Sequence, residues 1–175
     1  KTVRAYRQFA ILLVQGFGLR GVNPHDLKCW LYYPEDDCPF YRCTVFSHYA
    51  DKNVPAPGTK LKTQRLVNGD APASDEAQEG PYWSLMFEVA ESKYKPVDLE
   101  KVVEECFQGA INTELCKPTD EIVSVYHRRL ERGYPTPTLD RDGSVAEALP
   151  WLRSKDIWSR GSRKNHLDVI KFTIS

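Results

Sequence analysis

The strongest periodic signal in the chain lies at Tyr82 to Ala90. There Trp83, Leu85, Phe87 and Val89 alternate with Tyr82, Ser84, Met86 and Glu88. Successive side chains leave opposite faces of a strand, so this pattern predicts a strand with one apolar face. Phe40 to Tyr49 alternates in the same way. It puts Phe40, Arg42, Thr44, Phe46 and His48 on one face, and Tyr41, Cys43, Val45, Ser47 and Tyr49 on the other. The aromatic segment Cys29 to Tyr33 precedes it across the turn Pro34 to Pro39, which predicts an antiparallel hairpin. Ala10 to Gln15 reads as a buried strand, and Ile122 to Arg128 as another. A further short strand is expected at Ile157 to Arg160.

Helical spacing appears first after Asp98, an expected N-cap. Leu99, Val102, Val103, Cys106, Phe107 and Ala110 recur on one face, with an end expected near Gly109 to Asn112. Ser144 to Glu147 fits a capping box and predicts a second helix, shortened or kinked by Pro150. Gly133-Tyr134-Pro135-Thr136-Pro137 reads as a stiff extended loop, because each proline disfavours helical geometry at the residue before it. Residues 50–80, polar and rich in Pro, Gly, Asp and Ser, read as a long surface loop.

The prediction is three or four antiparallel strands followed by two helices separated by a strand, an α+β fold. The expected organisation is an antiparallel sheet over residues 1–95 with the long loop at 50–80, a helix and strand part over 96–161, and a tail at 162–175.

Gly16-Phe17-Gly18-Leu19-Arg20-Gly21 fits G-x-G-x-x-G. That fingerprint requires a helix immediately afterwards, whose N-terminal amides receive a pyrophosphate. Pro24 follows instead and disfavours helical geometry at Asn23, so the string reads as a glycine-rich strand and turn.

Composition narrows the class. With 175 residues, 41% hydrophobic and 27% charged, the chain can build one core. Its net charge is zero, so the basic face of a nucleic-acid binder is not expected. The short basic run Arg160 to Lys164 reads as a solvated loop or as a phosphate contact. The apolar run Phe9 to Val14 is too short to cross a bilayer. Five cysteines at irregular spacing, without a C-x-x-C pair, argue for reduced thiols and against both a disulfide framework and a zinc ribbon. A cytoplasmic protein is expected.

Candidate chemistry is confined to donors for an anionic ligand. Arg42 offers a planar fork for phosphate oxygens, and a structural salt bridge is the competing reading. Tyr32 and Tyr49 could serve as hydroxyl donors or as core aromatics. Tyr134, between glycine and proline, is either a pre-organised contact or an ordinary surface residue. His127 lies beside Arg128 and Arg129 with no acid or nucleophile at fixed spacing. His25, His48 and His166 give no metal-ligand pattern.

Longer strings carry a resemblance. Tyr32-Tyr33-Pro34-Glu35-Asp36-Asp37-Cys38-Pro39-Phe40-Tyr41-Arg42, Gly80-Pro81-Tyr82-Trp83-Ser84, Lys117 to Val123, Tyr126-His127-Arg128-Arg129, Gly133 to Pro137 and Lys155 to Gly161 resemble the C-terminal portion of fungal UDP-galactopyranose mutases. The resemblance spans about Gly18 to Gly161. It implies an antiparallel substrate domain together with helices of an incomplete, Rossmann-like flavin-binding domain. It also implies interconversion of UDP-galactopyranose and UDP-galactofuranose with reduced FAD, a UDP-galactose-type sugar nucleotide as ligand, and self-association of the full-length enzyme.

By the same resemblance Tyr32, Arg42 and Tyr134 would contact the diphosphate, with Arg42 the residue closest to catalysis. Trp30 and Tyr49 would line the same cleft. The family's flavin fingerprint and uridine-stacking aromatics belong to an N-terminal half that has no counterpart in this sequence. The expectation is therefore a partial enzyme, inactive alone and without flavin of its own. The alternatives are a non-catalytic sugar-nucleotide-binding module and a degenerate remnant.

Overall fold

The computed structural model describes residues 9–25, 27–67, 74–135 and 139–157. Residues 10–134 form one compact unit, on both sides of the boundary expected after residue 95, and a second unit comprises 1–9 with 135–175.

The first unit is built on a six-stranded sheet. Its strands are β1 (Phe9–Arg20), β2 (Trp30–Tyr32), β3 (Arg42–Val45), β5 (Arg65–Leu66), β7 (Tyr82–Glu91) and β8 (Glu121–Pro135). Their order across the sheet is β2-β3-β7-β1-β8-β5. Strands β4 (Lys60–Leu61) and β6 (Gln78–Glu79) form a separate two-stranded ladder. The pairs β2–β3, β3–β7 and β1–β7 are all antiparallel. Strand β8 runs antiparallel to β1 as well, since Gly16 lies against Tyr126 while Gly18 lies against Ser124. With helices α1 (Val102–Asn112) and α2 (Arg141–Arg153), the fold is α+β.

Alternation along β7 is as the sequence predicts: Trp83, Leu85, Phe87 and Val89 are buried. They pair with Leu19, Phe17, Gln15 and Leu13 of β1, and Phe87 and Leu85 also pair with Cys43 and Val45 of β3. This face is covered by α1, whose Val102, Cys106, Phe107 and Ala110 are buried. Phe107 packs 4.2 Å from Phe17 between ring centroids. Phe87 sits 5.1 Å from Phe17 and 4.4 Å from Phe40. Such tilted aromatic contacts are each worth about 0.5–1.5 kcal/mol beyond the area they bury.

The glycine-rich segment after Gln15 is strand and turn, as the sequence predicts: β1 continues through Gly16 and Gly18 to Arg20. Backbone partners on both edges outweigh the low strand propensity of glycine. The turn comes at Gly21, whose φ of 118° suits glycine.

Phe40 does not share a face with Arg42. Regular strand begins only at Arg42, so the two-residue period does not extend back to Phe40, which is 1% exposed in the core. At the other end Phe46–His48 winds into a short 3-10 turn, so alternation does not place Phe46, His48 or Tyr49. The 50–80 loop contains β4, β5, β6 and a second 3-10 turn at Asp51–Asn53.

Asp98 caps a turn ahead of the helix. Its Oδ1 accepts the Glu100 amide at 3.0 Å and its carbonyl accepts the Val102 amide at 2.9 Å, so α1 starts at Val102 and ends at Asn112. Strand β8 extends well past Arg128, because β1 offers a partner of similar length. It takes in Gly133 and the backbone of Tyr134 and Pro135, where a loop was expected. A Cβ on Gly133 would lie 2.2 Å from Leu12 Cβ, so this close approach requires glycine.

In the second unit, α2 begins at Arg141, three residues before the expected capping serine, and runs through Pro150 to Arg153. Pro150 lies in the last turn, where its missing amide removes one helical hydrogen bond and its own carbonyl still accepts from Ser154 at 3.0 Å. Ile157 is outside any strand. Residues 158–160 of that expected strand, and the basic run 160–164, lie outside the described residues.

Candidate functional site

The sheet face opposite α1 carries the polar and small positions. Register sets them in rows across the strands. Tyr32 pairs with Arg42, Arg42 with Glu88, and Glu88 with Val14. One row along, Trp30 pairs with Thr44, Thr44 with Met86, and Met86 with Gly16.

Arg42 is on an inner strand, one in from the edge. Its guanidinium donates through Nε and Nη2 to Glu88 Oε1 at 2.8 and 2.5 Å. The Tyr41 hydroxyl donates to Glu88 Oε2 at 2.7 Å. The guanidinium also lies 6.0 Å from the centre of the Tyr32 ring and 5.8 Å from that of Tyr41. Burial works against its charge, but Tyr32 and Glu88 outweigh that effect and raise its pKa above the ordinary value. Of the two readings left open by the sequence, the salt bridge is present, and Nη1 remains outside the pairing with Glu88.

Trp30 and Tyr49 also meet. The indole Nε1–H donates to the Tyr49 hydroxyl, and the rings stand edge-on with centroids 6.4 Å apart. Tyr49 in turn packs 5.5 Å from Phe46. His48 anchors this corner: Nδ1 bonds the Lys28 carbonyl at 2.8 Å and Nε2 the Asn23 amide nitrogen at 2.8 Å. The carbonyl can only accept and the Asn23 nitrogen only donates, so Nδ1 is the donor and Nε2 the acceptor in these two bonds. Tyr32, Trp30 and Tyr49 are 62%, 57% and 46% exposed, which settles them as surface aromatics and not core. The structure therefore brings Tyr32 beside Arg42 and Trp30 beside Tyr49. The side chain of Tyr134 lies outside the described residues.

A cleft of about 570 Å³ opens on the same sheet face. Gly16, Gly18 and Ser84 line its sheet side, and Phe46, Tyr82 and Tyr126 are among its walls. Phe46 links it to the Tyr49–Trp30 pair. Arg20 holds the wall that contains Leu61 and Tyr82. It donates to Glu121 Oε2 at 2.8 Å, to the Gln78 carbonyl at 2.5 Å and to the Leu61 carbonyl at 2.8 Å. Hydrogen bonds from Thr63 and then Arg20 hold the Glu121 carboxyl below its usual range.

Sequence reasoning missed Glu88 as the partner of Arg42, and Gly16 and Gly18 as the floor of a cleft. A charge set between Phe87 and Val89 in an apolar strand was the available signal for the first. The paired glycines, set aside as a failed fingerprint, were the signal for the second. His127 bonds through Nδ1 to Gln15 Oε1 at 2.8 Å. Among the described residues no group of His, Cys, Asp and Glu could hold a metal ion, the five cysteines are free, and no helix is long and apolar enough to cross a membrane.

No family model matches the chain. Among solved structures, that of a reduced UDP-galactopyranose mutase aligns over 88% of this chain with 42% sequence identity and a TM-score of 0.60. The chain is mutase-like. It spans 28% of the length of that mutase.

Proposed function

We propose that this chain forms the diphosphate-holding wall of a UDP-galactopyranose mutase of fungal type, corresponding to the C-terminal portion of the enzyme. One observation supports the reading above others: Tyr32 and Arg42 are direct cross-strand partners on an open sheet face, one row from Trp30. Arg42 supplies a fixed positive fork for phosphate oxygens, and the Tyr32 hydroxyl stands beside it as a second donor. Trp30 and Tyr49 flank them with aromatic faces suited to a sugar or base. Tyr134 joins this set on the strength of its sequence match.

In the interconversion of UDP-galactopyranose and UDP-galactofuranose, charge builds on the UDP oxygen as the bond to the sugar breaks. A guanidinium already in place stabilises that charge without reorganising. Reduced FAD would supply the nucleophilic chemistry in the complete enzyme. The described residues do not fit its dinucleotide: Gly16, Gly18 and Arg20 lie within β1, and no helix follows to receive a pyrophosphate. No flavin-dependent step is assigned to this chain, and the isolated polypeptide acts as a sugar-nucleotide-binding element without turnover.

Calorimetry with UDP tests the reading. Binding is expected, and Arg42→Ala is expected to weaken it at least about tenfold, or about 1.4 kcal/mol. Absence of UDP binding would favour a degenerate remnant. Mutase turnover or a retained yellow chromophore in the purified chain would overturn the partial-enzyme reading.

A further inference from the structure

We infer that Glu88 is a positioning residue for Arg42, acting through the placement of its oxygen and not through its charge; this rests on the diphosphate reading above. Glu88 lies on β7, 46 residues from Arg42, and is directly opposite it in register. It is 3% exposed, on the polar side of a strand whose other side is core. A buried carboxylate in such a place requires partners, and it has three contacts. Oε1 alone receives both Nε and Nη2 of Arg42, and Oε2 receives the Tyr41 hydroxyl.

The arrangement grips one side of the guanidinium and leaves Nη1 out of the grip. An arginine side chain free to rotate loses conformational entropy when it binds phosphate. Here the Nε and Nη2 bonds fix the plane before any ligand arrives. The negative charge of Glu88 opposes that benefit, because it lowers the positive potential an incoming diphosphate meets. Placement and charge thus act in opposite directions at one residue, and substitution can separate them. Glutamine retains an oxygen that can accept from both Nε and Nη2 while removing the charge. Alanine removes both.

The test uses UDP titrations of the 175-residue chain, with thermal melting of each variant. Glu88→Gln is expected to bind UDP at least as tightly as the parent chain. Glu88→Ala is expected to bind at least about tenfold more weakly. Tyr41→Phe, which keeps the Arg42 contact, is expected to bind within about threefold of the parent. Equal or tighter binding by Glu88→Ala would overturn the inference. Equal weakening by Glu88→Gln and Glu88→Ala would overturn it also, since charge would then be the property that matters.

The Arg42 Nε–H resonance is a second measurement, independent of UDP. It is expected to exchange slowly with solvent in the parent and in Glu88→Gln, and fast in Glu88→Ala. Fast exchange in the parent would overturn the positioning role. Slow exchange together with no UDP binding would instead remove the diphosphate reading and leave the Glu88–Arg42 placement standing.

Discussion

Arg20 donates through Nε to Glu121 Oε2 at 2.8 Å, joining the end of β1 to the start of β8 across 101 residues of chain. Thr63 donates to the same oxygen at 2.5 Å, and Arg20 Nη2 reaches the Leu61 carbonyl at 2.8 Å. One side chain, itself 10% exposed, thus ties two strands and the 60–63 segment together. Removing one member of a buried, hydrogen-bonded charge pair costs about 3–5 kcal/mol. Arg20→Ala is expected to fall toward the lower end of that range, because Glu121 retains some contact with water. Hydrogen exchange would show the loss first at residues 60–63 and 78–82.

The same pair predicts a dependence on acid. The Glu121 carboxyl is held below its ordinary value of 4.5, first by Thr63 and then by Arg20. A carboxyl depressed in the folded state contributes stability that is fully present above its unfolded pKa. That contribution is lost as pH falls through the lower, folded value. Denaturation of the parent and of Glu121→Gln should therefore differ at neutral pH and converge as pH drops below about 4. A difference that stays constant down to pH 2 would contradict this.

Two glycines should both resist a methyl group, but only one of the two clashes can be relieved by a second substitution. A Cβ on Gly109 of α1 would lie 2.7 Å from Cys38 Cβ and 3.1 Å from Cys38 Cα, neither of which can swing away. Gly109→Ala is expected to destabilise by about 1–3 kcal/mol in chemical denaturation, despite the better helix propensity of alanine. A Cβ on Gly18 meets Ser124 Oγ at 2.2 Å, and the next atom lies at 3.5 Å. Gly18→Ala combined with Ser124→Ala should regain most of what Gly18→Ala loses alone.

Thiol chemistry reads the core directly. Cys29 is exposed, whereas Cys38, Cys43, Cys106 and Cys116 are buried. Burial pushes the Cys38 thiol up to about 11, aided by Asp37, and raises the other three as well. An aromatic disulfide reagent at neutral pH should titrate one thiol rapidly in the folded chain and the remaining four only after unfolding.

Phe87 joins the Phe17 and Phe40 contacts at the centre of the sheet's apolar face and is fully buried. Phe87→Ala should cost about 3–5 kcal/mol. For a unit of this size, with total stability of about 5–15 kcal/mol, that loss should lower the melting temperature by more than about 10 °C.

How far the sequence could be read depended on the range of the interactions. Trp83 to Val89 announced both strand and core face, because each residue's exposure follows from its immediate neighbours. The strand at Phe40 to Tyr49 was legible as an element but not in its facing, since the chain leaves extended geometry at both ends of Arg42–Val45. The paired aromatics Trp30 and Tyr49 were named as candidates, yet their contact depends on the turn at Phe46–His48 and on His48 bridging to Asn23 and Lys28. Asp98 and Ser144 carried good capping chemistry, but the local backbone turned before α1 and was already helical before Ser144.

Sequence alone determined the α+β class, the apolar face of β7, a helix ending within Gly109 to Asn112, and arginine and tyrosine side chains capable of donating to an anion. These follow from alternation, helical spacing and side-chain chemistry, all of which act over a few residues. Tertiary structure decided which side chains meet: it placed Glu88 against Arg42 and opened a cleft over the glycines of β1. Those outcomes depend on the register of strands as far apart as Arg20 and Glu121, 101 residues along the chain, which backbone pairing and the burial of one shared face fix only when the whole sheet assembles.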